Sequence, residues 1–410
     1  MHCSNSIDAN PFSQAGMTVD HACAIEKEVE RSLDVLWLGP MVSESIVGNA
    51  AAVSPAANVW QTALVRALEL EGVSVRVLSY LPSRVWPLGA ARIDASAAPP
   101  AQGIEAVAAS YWNLPIIRQW SLARGSLAAL LSNSARFPKC KVVVTYNAPR
   151  WSCSVARHLR GLWGAKWVCI AADEDIPADA DGCVSLNWQH SGTIAHRMPT
   201  LHLDGGVAVQ PSPVVSSNGF IDSYESRTLI FAGGLGVHTG AVPLVKAWRR
   251  VRHRDARLLV CGKGDTKQLI GAAGGDPRVN ILGFLPRETL EQTMLGAFAF
   301  VNPRPISLEA VRLTFPSKVL EYLGYSRPIV STRCSGLSPE YSRIMHFADG
   351  DDSSSLTEAI DRILDWSFET YEARCAMMHE FARSRSWRVQ ASRLREWLRS
   401  TYLNVERRCD

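Results

Sequence analysis

Short runs rich in valine, isoleucine and leucine alternate with amphipathic helical segments twice along the chain, and this alternation constrains the fold more than any other feature. The first series of predicted strands lies at 33–38, 73–78, 141–146, 166–171 and 182–186. The second series lies at 228–231, 257–261, 279–282, 297–301 and 328–331. Apolar strands separated by helices indicate parallel sheets that are covered on both faces. The sequence therefore predicts an α/β protein with two doubly wound, Rossmann-like domains facing each other across a cleft.

The length of the chain and one atypical segment indicate where the two domains meet. At 410 residues, the chain exceeds the size at which a single core is usual. Residues 209–219 are rich in proline, serine and valine and end in glycine, which is typical of a linker. We predict an N-terminal domain at 33–210, a linker at 211–224 and a C-terminal domain at 225–385.

The two ends of the chain differ in character. Residues 1–32 are polar, mixed in charge and without an apolar core of the secretory type, so we predict a disordered leader. A helix predicted at 387–402 follows the last strand and has no partner in the second series. We therefore expect residues 386–410 to pack back against the N-terminal domain.

The composition excludes several classes of protein. A net charge of +4 does not suggest a strongly basic nucleic-acid binder, and no nucleic-acid partner is expected. No apolar run approaches the ~20 residues that span a bilayer. None of the ten cysteines forms a C-x-x-C pair, which favours free thiols in a reducing cytoplasm over disulfides or a zinc site.

Three turns in the second domain follow predicted strands and contain glycine. Gly233 and Gly234 follow the first strand, Lys263 stands between two glycines after the second, and Gly283 and Phe284 follow the third. Glycines allow a backbone to approach a phosphate closely, and an apolar turn can present a flat surface to a nucleobase. Ordinary structural turns, a solvated lysine and a core phenylalanine explain the same residues, so both interpretations stay open here.

A fourth turn, at 314–324, carries more information. Pro316 is typical of the first turn of a helix and Gly324 of its end. Ser317 and Glu321 share one helical face, about 6 Å apart along the axis. A phosphate near Ser317 and Lys318 and a sugar diol at Glu321 would fit that spacing, because a carboxylate accepts two hydroxyl protons. An amphipathic helix with Glu321 in water is the alternative.

These four turns, in this order, resemble those of glycosyltransferase family 4, a group of retaining nucleotide-sugar transferases with the GT-B fold. The run Asn302-Pro303-Arg304, followed by residues 315–323, is similar to the N-P-R…F-P-S-K-x-x-E-Y-L pattern of one bacterial branch. Residues 54–58 and 203–207 also resemble that branch. The resemblance covers roughly residues 33–402.

The resemblance implies a hexosyl transfer from a nucleotide sugar, a UDP- or GDP-sugar, without an obligatory metal ion. Glu321 is expected to bind the donor ribose and Lys318 the diphosphate, with Lys263 and Arg304 as further cations. Retention implies that the acceptor hydroxyl attacks from the face of the leaving group. A phosphate oxygen can then take the proton, so no separate protein base is required.

Two departures from the family pattern keep another function open. Leu313 stands where the first glutamate of the E-x7-E motif is expected, and Glu309 lies four residues away. Gly234 and Thr239 stand where arginine and lysine are usual. A donor-binding or regulatory subunit without catalysis is the alternative. A nucleotide-sugar epimerase is less well supported, because acids and histidines are not clustered at the predicted strand ends.

The first domain supplies the candidates for the acceptor side. Asn147 and Asp173 follow the strands predicted at 141–146 and 166–171, at ends that face the cleft. The resemblance implies a glycan or a lipid-linked glycan as acceptor, in cell-surface polysaccharide biosynthesis. A solvated loop around Asp173 is the alternative for that residue.

Aromatic and basic residues lie near each other in the first domain. Trp112, Arg118, Trp120 and Arg124 form one group, and a second follows at 150–166. An anionic membrane surface would bind such residues. We therefore expect a cytoplasmic protein that can also attach peripherally to the inner face of the membrane. Core tryptophans with a solvated basic face are the alternative.

Overall fold

The computed structural model of the protein describes residues 33–47, 52–208 and 217–403. The predicted leader at 1–32 and the first part of the predicted linker lie outside the described residues. The described cysteines are unpaired and buried.

The first half of the described chain forms one large parallel sheet. Its strands are β1 (Asp34–Leu38), β2 (Ser74–Ser79), β3 (Arg92–Ile93), β4 (Ala106–Ala108), β5 (Tyr111–Trp112), β6 (Val142–Tyr146), β7 (Lys166–Ala171), β8 (Gly182–Ser185) and β9 (Thr200–His202). Seven strands pair in parallel in the order β4-β2-β1-β6-β7-β8-β9, and β3 pairs with β5 in a short antiparallel ribbon. The helices are α1 (Glu44–Val47), α2 (Pro55–Leu70), α3 (Arg118–Ser132), α4 (Arg150–Trp163) and α5 (Trp188–Ala195).

The second half forms another parallel sheet. Its strands are β10 (Thr228–Ala232), β11 (Arg257–Cys261), β12 (Val279–Gly283), β13 (Ala299–Asn302), β14 (Ile329–Ser331) and β15 (His346–Phe347), in the order β12-β11-β10-β13-β14-β15. The helices are α6 (Ser217–Ser226), α7 (Ala241–Trp248), α8 (Thr266–Ala273), α9 (Arg287–Leu295), α10 (Lys318–Leu323), α11 (Ser353–Leu364), α12 (Phe368–Ser384) and α13 (Trp387–Leu398). The predicted fold class, with two doubly wound α/β sheets, is confirmed.

Two predicted boundaries need correction. The helix predicted to begin at Pro316 begins at Lys318, because Phe315 and Pro316 form a tight turn in which Ser317 N donates to the Phe315 carbonyl at 2.9 Å. The second part of the predicted linker is the helix α6. Tyr224 explains its position, since its ring packs between Phe368 and Tyr371, each 5.4 Å away.

The helix α13 lies against α2 of the first domain. Arg388 Nε donates to the Glu71 carboxylate at 2.8 Å, and Arg395 Nη1 donates to the Glu71 carbonyl at 2.9 Å and forms an ion pair with the same carboxylate at 3.0 Å. The ring of Trp387 meets the ring of Trp60 edge to face, 6.1 Å between centroids. The helix α13 thus bridges the second sheet and the first domain.

A buried ion pair joins the two halves of the molecule. The Asp204 carboxylate, completely buried, accepts hydrogen bonds from Arg385 Nη1 at 2.8 and 2.9 Å and from Tyr341 Oη at 2.6 Å. A buried carboxylate is tolerated only when such partners replace water. Asp204 follows β9 of the first sheet, whereas Tyr341 follows β14 of the second, so these bonds fix one sheet relative to the other.

We expect Asp204→Ala to lower the free energy of unfolding by about 3–5 kcal/mol, because the buried Arg385 guanidinium loses its buried carboxylate and keeps only the exposed Glu340 as an anionic partner. Urea unfolding followed by tryptophan fluorescence measures the change. Glu291→Ala, which removes an exposed i,i+4 pair with Arg287, is the control and should cost less than about 1 kcal/mol. Equal losses in the two variants would contradict the central role of the buried pair.

Candidate functional site

The turns at the carboxyl ends of β10, β11 and β12 contact one another. Gly233 N donates to the Cys261 carbonyl at 2.9 Å, and Gly262 N donates to the Gly283 carbonyl at 2.7 Å. Carboxyl ends of parallel strands meet at one edge of a sheet, which is where ligands of doubly wound folds bind. The predicted residues Gly233, Lys263 and Gly283 therefore belong to one surface.

The glycines of this surface divide into two kinds. Gly262 has φ +149°, and a Cβ there would lie 1.6 Å from the Gly233 carbonyl oxygen, so the fold itself requires glycine. Gly233 and Gly234 have no left-handed backbone. A Cβ at Gly234 would meet only the Thr239 methyl, at 3.8 Å, and one at Gly233 only the Phe231 ring, from 3.4 Å. Neither packing nor backbone geometry demands glycine at these two positions, which leaves open space above the turn.

Lys263 and Phe284 form a pair beside that turn. The Lys263 Nζ lies 4.4 Å from the centroid of the Phe284 ring. The ring is 63% exposed, so the alternative of a core phenylalanine is wrong. An exposed aromatic face next to a cation is a stacking surface for a flat, electron-rich group.

The helix α10 is fixed to the end of β10 by one tyrosine. Tyr322 Oη accepts a hydrogen bond from Ala232 N at 2.9 Å and donates to the Ala232 carbonyl at 3.0 Å. Its ring stacks on Phe300 with 4.6 Å between centroids. Burial raises the pKa of Tyr322, so the hydroxyl stays neutral and serves as both donor and acceptor. Because Ala232 precedes Gly233, the neighbours of Tyr322 on α10 lie beside the glycine turn.

Lys318 and Glu321 form an ion pair on the surface of α10. Both side chains are about two-fifths exposed. The apolar neighbours of Glu321 in sequence are buried on the other side of the helix, so its carboxylate lies at the surface. Ser317 precedes the helix, and its side chain makes no capping hydrogen bond.

Arg304 and Asp173 belong to opposite domains and lie close enough for their charges to interact. Arg304 follows β13 and donates to Thr314 Oγ1, while its buried Nε has no hydrogen-bond partner among the described residues. Removal from water lowers the pKa of Arg304, and the nearby Asp173 opposes that shift. Removal from water raises the pKa of Asp173, against the opposing effect of Arg304. The structure thus brings two residues that are 131 positions apart within electrostatic reach.

Asn147 supports Asp173. It follows β6 with a left-handed backbone, φ 55°, and its Oδ1 accepts hydrogen bonds from Ala172 N at 2.9 Å and Asp173 N at 3.4 Å. An asparagine tolerates this backbone better than most residues. Its side-chain oxygen is therefore committed to orienting the loop that carries Asp173.

A cavity of about 370 Å³ between the domains contains residues that the sequence did not single out. Gln189 lines it from the first domain, and Arg312 and Arg333 line it from the second. Glu309 lines the same cavity and pairs with Arg312 at 3.2 Å. Asn187 Nδ2 closes one side by donating to the Arg312 carbonyl at 2.9 Å. In the sequence, the position of Arg333 just after the strand predicted at 328–331 is the feature that could have indicated this cavity.

The fold and this edge of the second sheet define a class of protein. Doubly wound sheets facing across a cleft form the GT-B architecture, and residues 226–365 match the family model described as "Glycosyl transferases group 1". This part of the chain is thus similar to group 1 glycosyltransferases. No curated protein sequence matches the chain significantly.

Solved structures with the same fold cover nearly the whole chain. Sucrose-phosphate synthase from Thermosynechococcus elongatus is 16% identical over 90% of this chain and 98% of its own, with a TM-score of 0.63. The lipopolysaccharide outer core galactosyltransferase WaaB is 12% identical over 90% and 99%, with a TM-score of 0.59. HepE of Anabaena, solved in complex with UDP, is 13% identical over 90% and 100%, with a TM-score of 0.58.

We expect Tyr322→Phe to lower the free energy of unfolding by about 1–3 kcal/mol and to weaken the binding of UDP and GDP, because α10 loses its bonds to Ala232. Tyr371→Phe is the matched control. Tyr371 also stacks on a phenylalanine and donates to a backbone carbonyl, that of Phe298, at 3.0 Å. The control should lose stability without losing nucleotide affinity in titration calorimetry. Unchanged affinity in both variants would argue against α10 as part of the site.

Proposed function

We propose that the protein is a retaining, family 4 type glycosyltransferase. It moves a hexosyl group from a UDP- or GDP-sugar to a glycan or lipid-linked glycan, in the biosynthesis of cell-surface polysaccharide. One observation carries the proposal: the open glycine turn and the Lys263–Phe284 pair lie at one edge of the sheet, and Tyr322 bonds α10, which carries Lys318 and Glu321, to Ala232 at that edge. The group 1 match over residues 226–365 and the UDP in HepE support it.

Each part of the donor has a partner in this arrangement. The exposed ring of Phe284 stacks on the nucleobase, and the Glu321 carboxylate accepts hydrogen bonds from the two ribose hydroxyls. The open turn at Gly233 and Gly234 admits the diphosphate against the backbone, beside the Lys318 ammonium. We assign Ser317 and Gly283 to the borders of the same proposed site.

The reaction follows from charge stabilisation at the diphosphate. The bond between the anomeric carbon and the diphosphate oxygen breaks, and the acceptor oxygen forms its bond on the same face of the sugar. The acceptor proton passes to an oxygen of the leaving diphosphate. Lys318 and Arg304 stabilise the negative charge that develops there, as fixed cations do in a site with little water.

The acceptor side of the proposed site lies at the edge of the first sheet. Asp173 lies near Arg304 and has a raised pKa, so it is suited to hold an acceptor hydroxyl by hydrogen bonding. Asn147 is a positioning residue, because it acts through the backbone of Asp173.

A donor-binding subunit without catalysis is the second candidate, and one observation favours it. Leu313 is half-buried at the position of the first motif glutamate. The nearest carboxylate in sequence, Glu309, is paired with Arg312 in the interdomain cavity. Turnover of a nucleotide sugar separates the two candidates.

The deciding experiment incubates the protein with a panel of UDP- and GDP-sugars and follows the release of free nucleotide. Release from one donor, with retention of the anomeric configuration in any transferred product, is the expected result. Tight binding without release would support the subunit instead, and an inverted product would overturn the proposed mechanism.

Variants of α10 separate binding from catalysis. Glu321→Ala should weaken donor binding by about 1.5–3 kcal/mol, because the ribose hydroxyls lose a charged partner. Lys318→Ala should reduce kcat more than affinity, since the charge that it stabilises develops during the reaction. Glu358→Ala on α11, also exposed, is the control and should change neither quantity. Wild-type donor affinity in Glu321→Ala would contradict the ribose assignment.

The open turn supplies a separate test. Gly234→Ala should change the free energy of unfolding by no more than about 0.5 kcal/mol, because the methyl group meets only Thr239. It should nevertheless weaken nucleotide-sugar binding, since the methyl group occupies the space assigned to the diphosphate. Gly161→Ala on α4, where a Cβ has no neighbour within 4 Å, is the control and should leave binding unchanged. Full affinity in Gly234→Ala would place the diphosphate elsewhere.

A further inference from the structure

Five large apolar side chains are exposed together on the first domain. They belong to the loop after β2, the ribbon strand β5 and the start of α3, and we call them the apolar surface: Trp86, Leu88, Trp112, Ile116 and Trp120. The tryptophans of the second basic group behave differently. Trp151 is buried in the core and Trp163 is half-buried against it, which agrees with the alternative of core tryptophans for that group.

Asn113 holds the segments of the apolar surface side by side. It is completely buried, its carbonyl accepts from Trp86 N at 3.1 Å, and its Nδ2 donates to the carbonyls of Arg84 and Ala90 at 2.6 and 2.9 Å. These bonds tie the loop carrying Trp86 and Leu88 to the turn carrying Ile116. The fold therefore presents these side chains as one set.

Ile116 is the most unusual member. Its side chain is 100% exposed and its backbone is left-handed, with φ 69°. A β-branched residue in this region of backbone space is strained, and no residue that the structure describes covers the side chain in return. An environment outside the protein that accepts apolar groups would account for both features.

The outer face of α3 continues the surface as a groove of about 700 Å³. Leu122 and Leu130 on the inner face are buried, whereas Trp120 and Leu131 on the outer face are exposed. Arg124 lies 4.9 Å from the Trp120 ring and Arg92 lies 5.6 Å from the Trp112 ring. Apolar side chains bordered by guanidinium groups are typical of surfaces that lie at the boundary of a bilayer.

The charge of this part of the chain has one sign. Residues 106–172 contain nine lysines and arginines and no aspartate or glutamate. Arg118, at the start of α3, also has a buried Nε without a hydrogen-bond partner among the described residues. Arg92 pairs with Asp94 at 3.0 Å, and four other basic residues pair with acids outside that range: Arg136, Arg157, Arg160 and Lys166. Arg118 and Arg124 form no salt bridge among the described residues, so the charge at α3 is complementary to an anionic partner.

We propose that the apolar surface docks the protein onto an anionic lipid bilayer. Trp86, Leu88, Ile116 and Trp120 enter the interfacial layer, where tryptophan and aliphatic side chains are stabilised, and Arg92 and Arg124 contact anionic headgroups. In the residues that the structure describes, no helix has the length and apolar character needed to cross a bilayer. The attachment is thus by a surface.

The apolar surface lies next to the acceptor edge of the cleft. Gln119 Oε1, at the start of α3, accepts from Trp151 N at 3.1 Å, and α4 begins three residues after Asn147. If the proposed function holds, a lipid-linked acceptor would reach Asp173 from the bilayer that the surface contacts. The docking itself does not depend on the donor site.

The test is co-sedimentation of the full chain with vesicles of phosphatidylcholine alone or mixed with phosphatidylglycerol in equal amounts. We expect binding to the mixed vesicles that weakens in high salt. Trp120→Ala should reduce it about tenfold and Arg124→Gln about fivefold. Ile116→Gly should also reduce binding about tenfold while leaving the melting temperature the same or higher, because glycine relieves the left-handed strain.

Matched controls lie on the second domain. Ile270→Ser on α8 and Arg250→Gln remove an equally exposed apolar or basic side chain and should leave vesicle binding unchanged. Equal loss in the controls, or no binding of the wild type to mixed vesicles, would overturn the proposal. So would a dimer in sedimentation velocity that Trp120→Ala abolishes, since a second copy would then cover the surface. Gly234→Ala should retain vesicle binding, which separates this result from failure of the donor site.

Discussion

The buried bonds of Asp204 to Arg385 and Tyr341 are the interaction on which the rest of the molecule depends. They join segments of both sheets, and the backbone bridge between Val207 and Ser386 lies beside them. Gly205 follows directly, where a Cβ would lie 2.7 Å from both Leu320 of α10 and Trp60 of α2. The helix α10, which carries Lys318 and Glu321, is therefore held against the first domain by the same cluster of contacts. The relative position of the two sheets across the cleft therefore depends on the buried Asp204 carboxylate and its partners.

Much of the fold could be predicted because each sheet repeats a strong local pattern. The ten predicted strands agree with the observed strands to within two residues at either end. The strands that were missed, β3, β4, β5, β9 and β15, contain two or three residues each, and β4, β9 and β15 lie at sheet edges. Such short segments carry no periodicity, because neighbours distant in sequence decide whether they pair.

The glycine turns of the candidate site could also be predicted, because they follow strands with a strong local pattern. Glycines at strand ends identify positions along the chain, and parallel topology brings them to one edge. Pairings between distant residues are different. Nothing in the sequence indicates that Lys318 pairs with Glu321 in preference to a ligand, that Asn147 supports Asp173, or that Arg304 lies near Asp173. Those contacts depend on how two sheets are set against each other.

The ion pair on α10 has a consequence for selectivity within the proposed site. Lys318 and Glu321 neutralise each other, so this face of the helix attracts free phosphate or diphosphate only weakly. A molecule that carries both a vicinal diol and a diphosphate can engage the carboxylate and the ammonium together. The lysine then becomes available to phosphate only as the glutamate is taken by the sugar. Such a pair favours ligands that bind both residues at once. Whole nucleotides can do so, whereas phosphate and diphosphate, which lack the diol, can bind only the lysine.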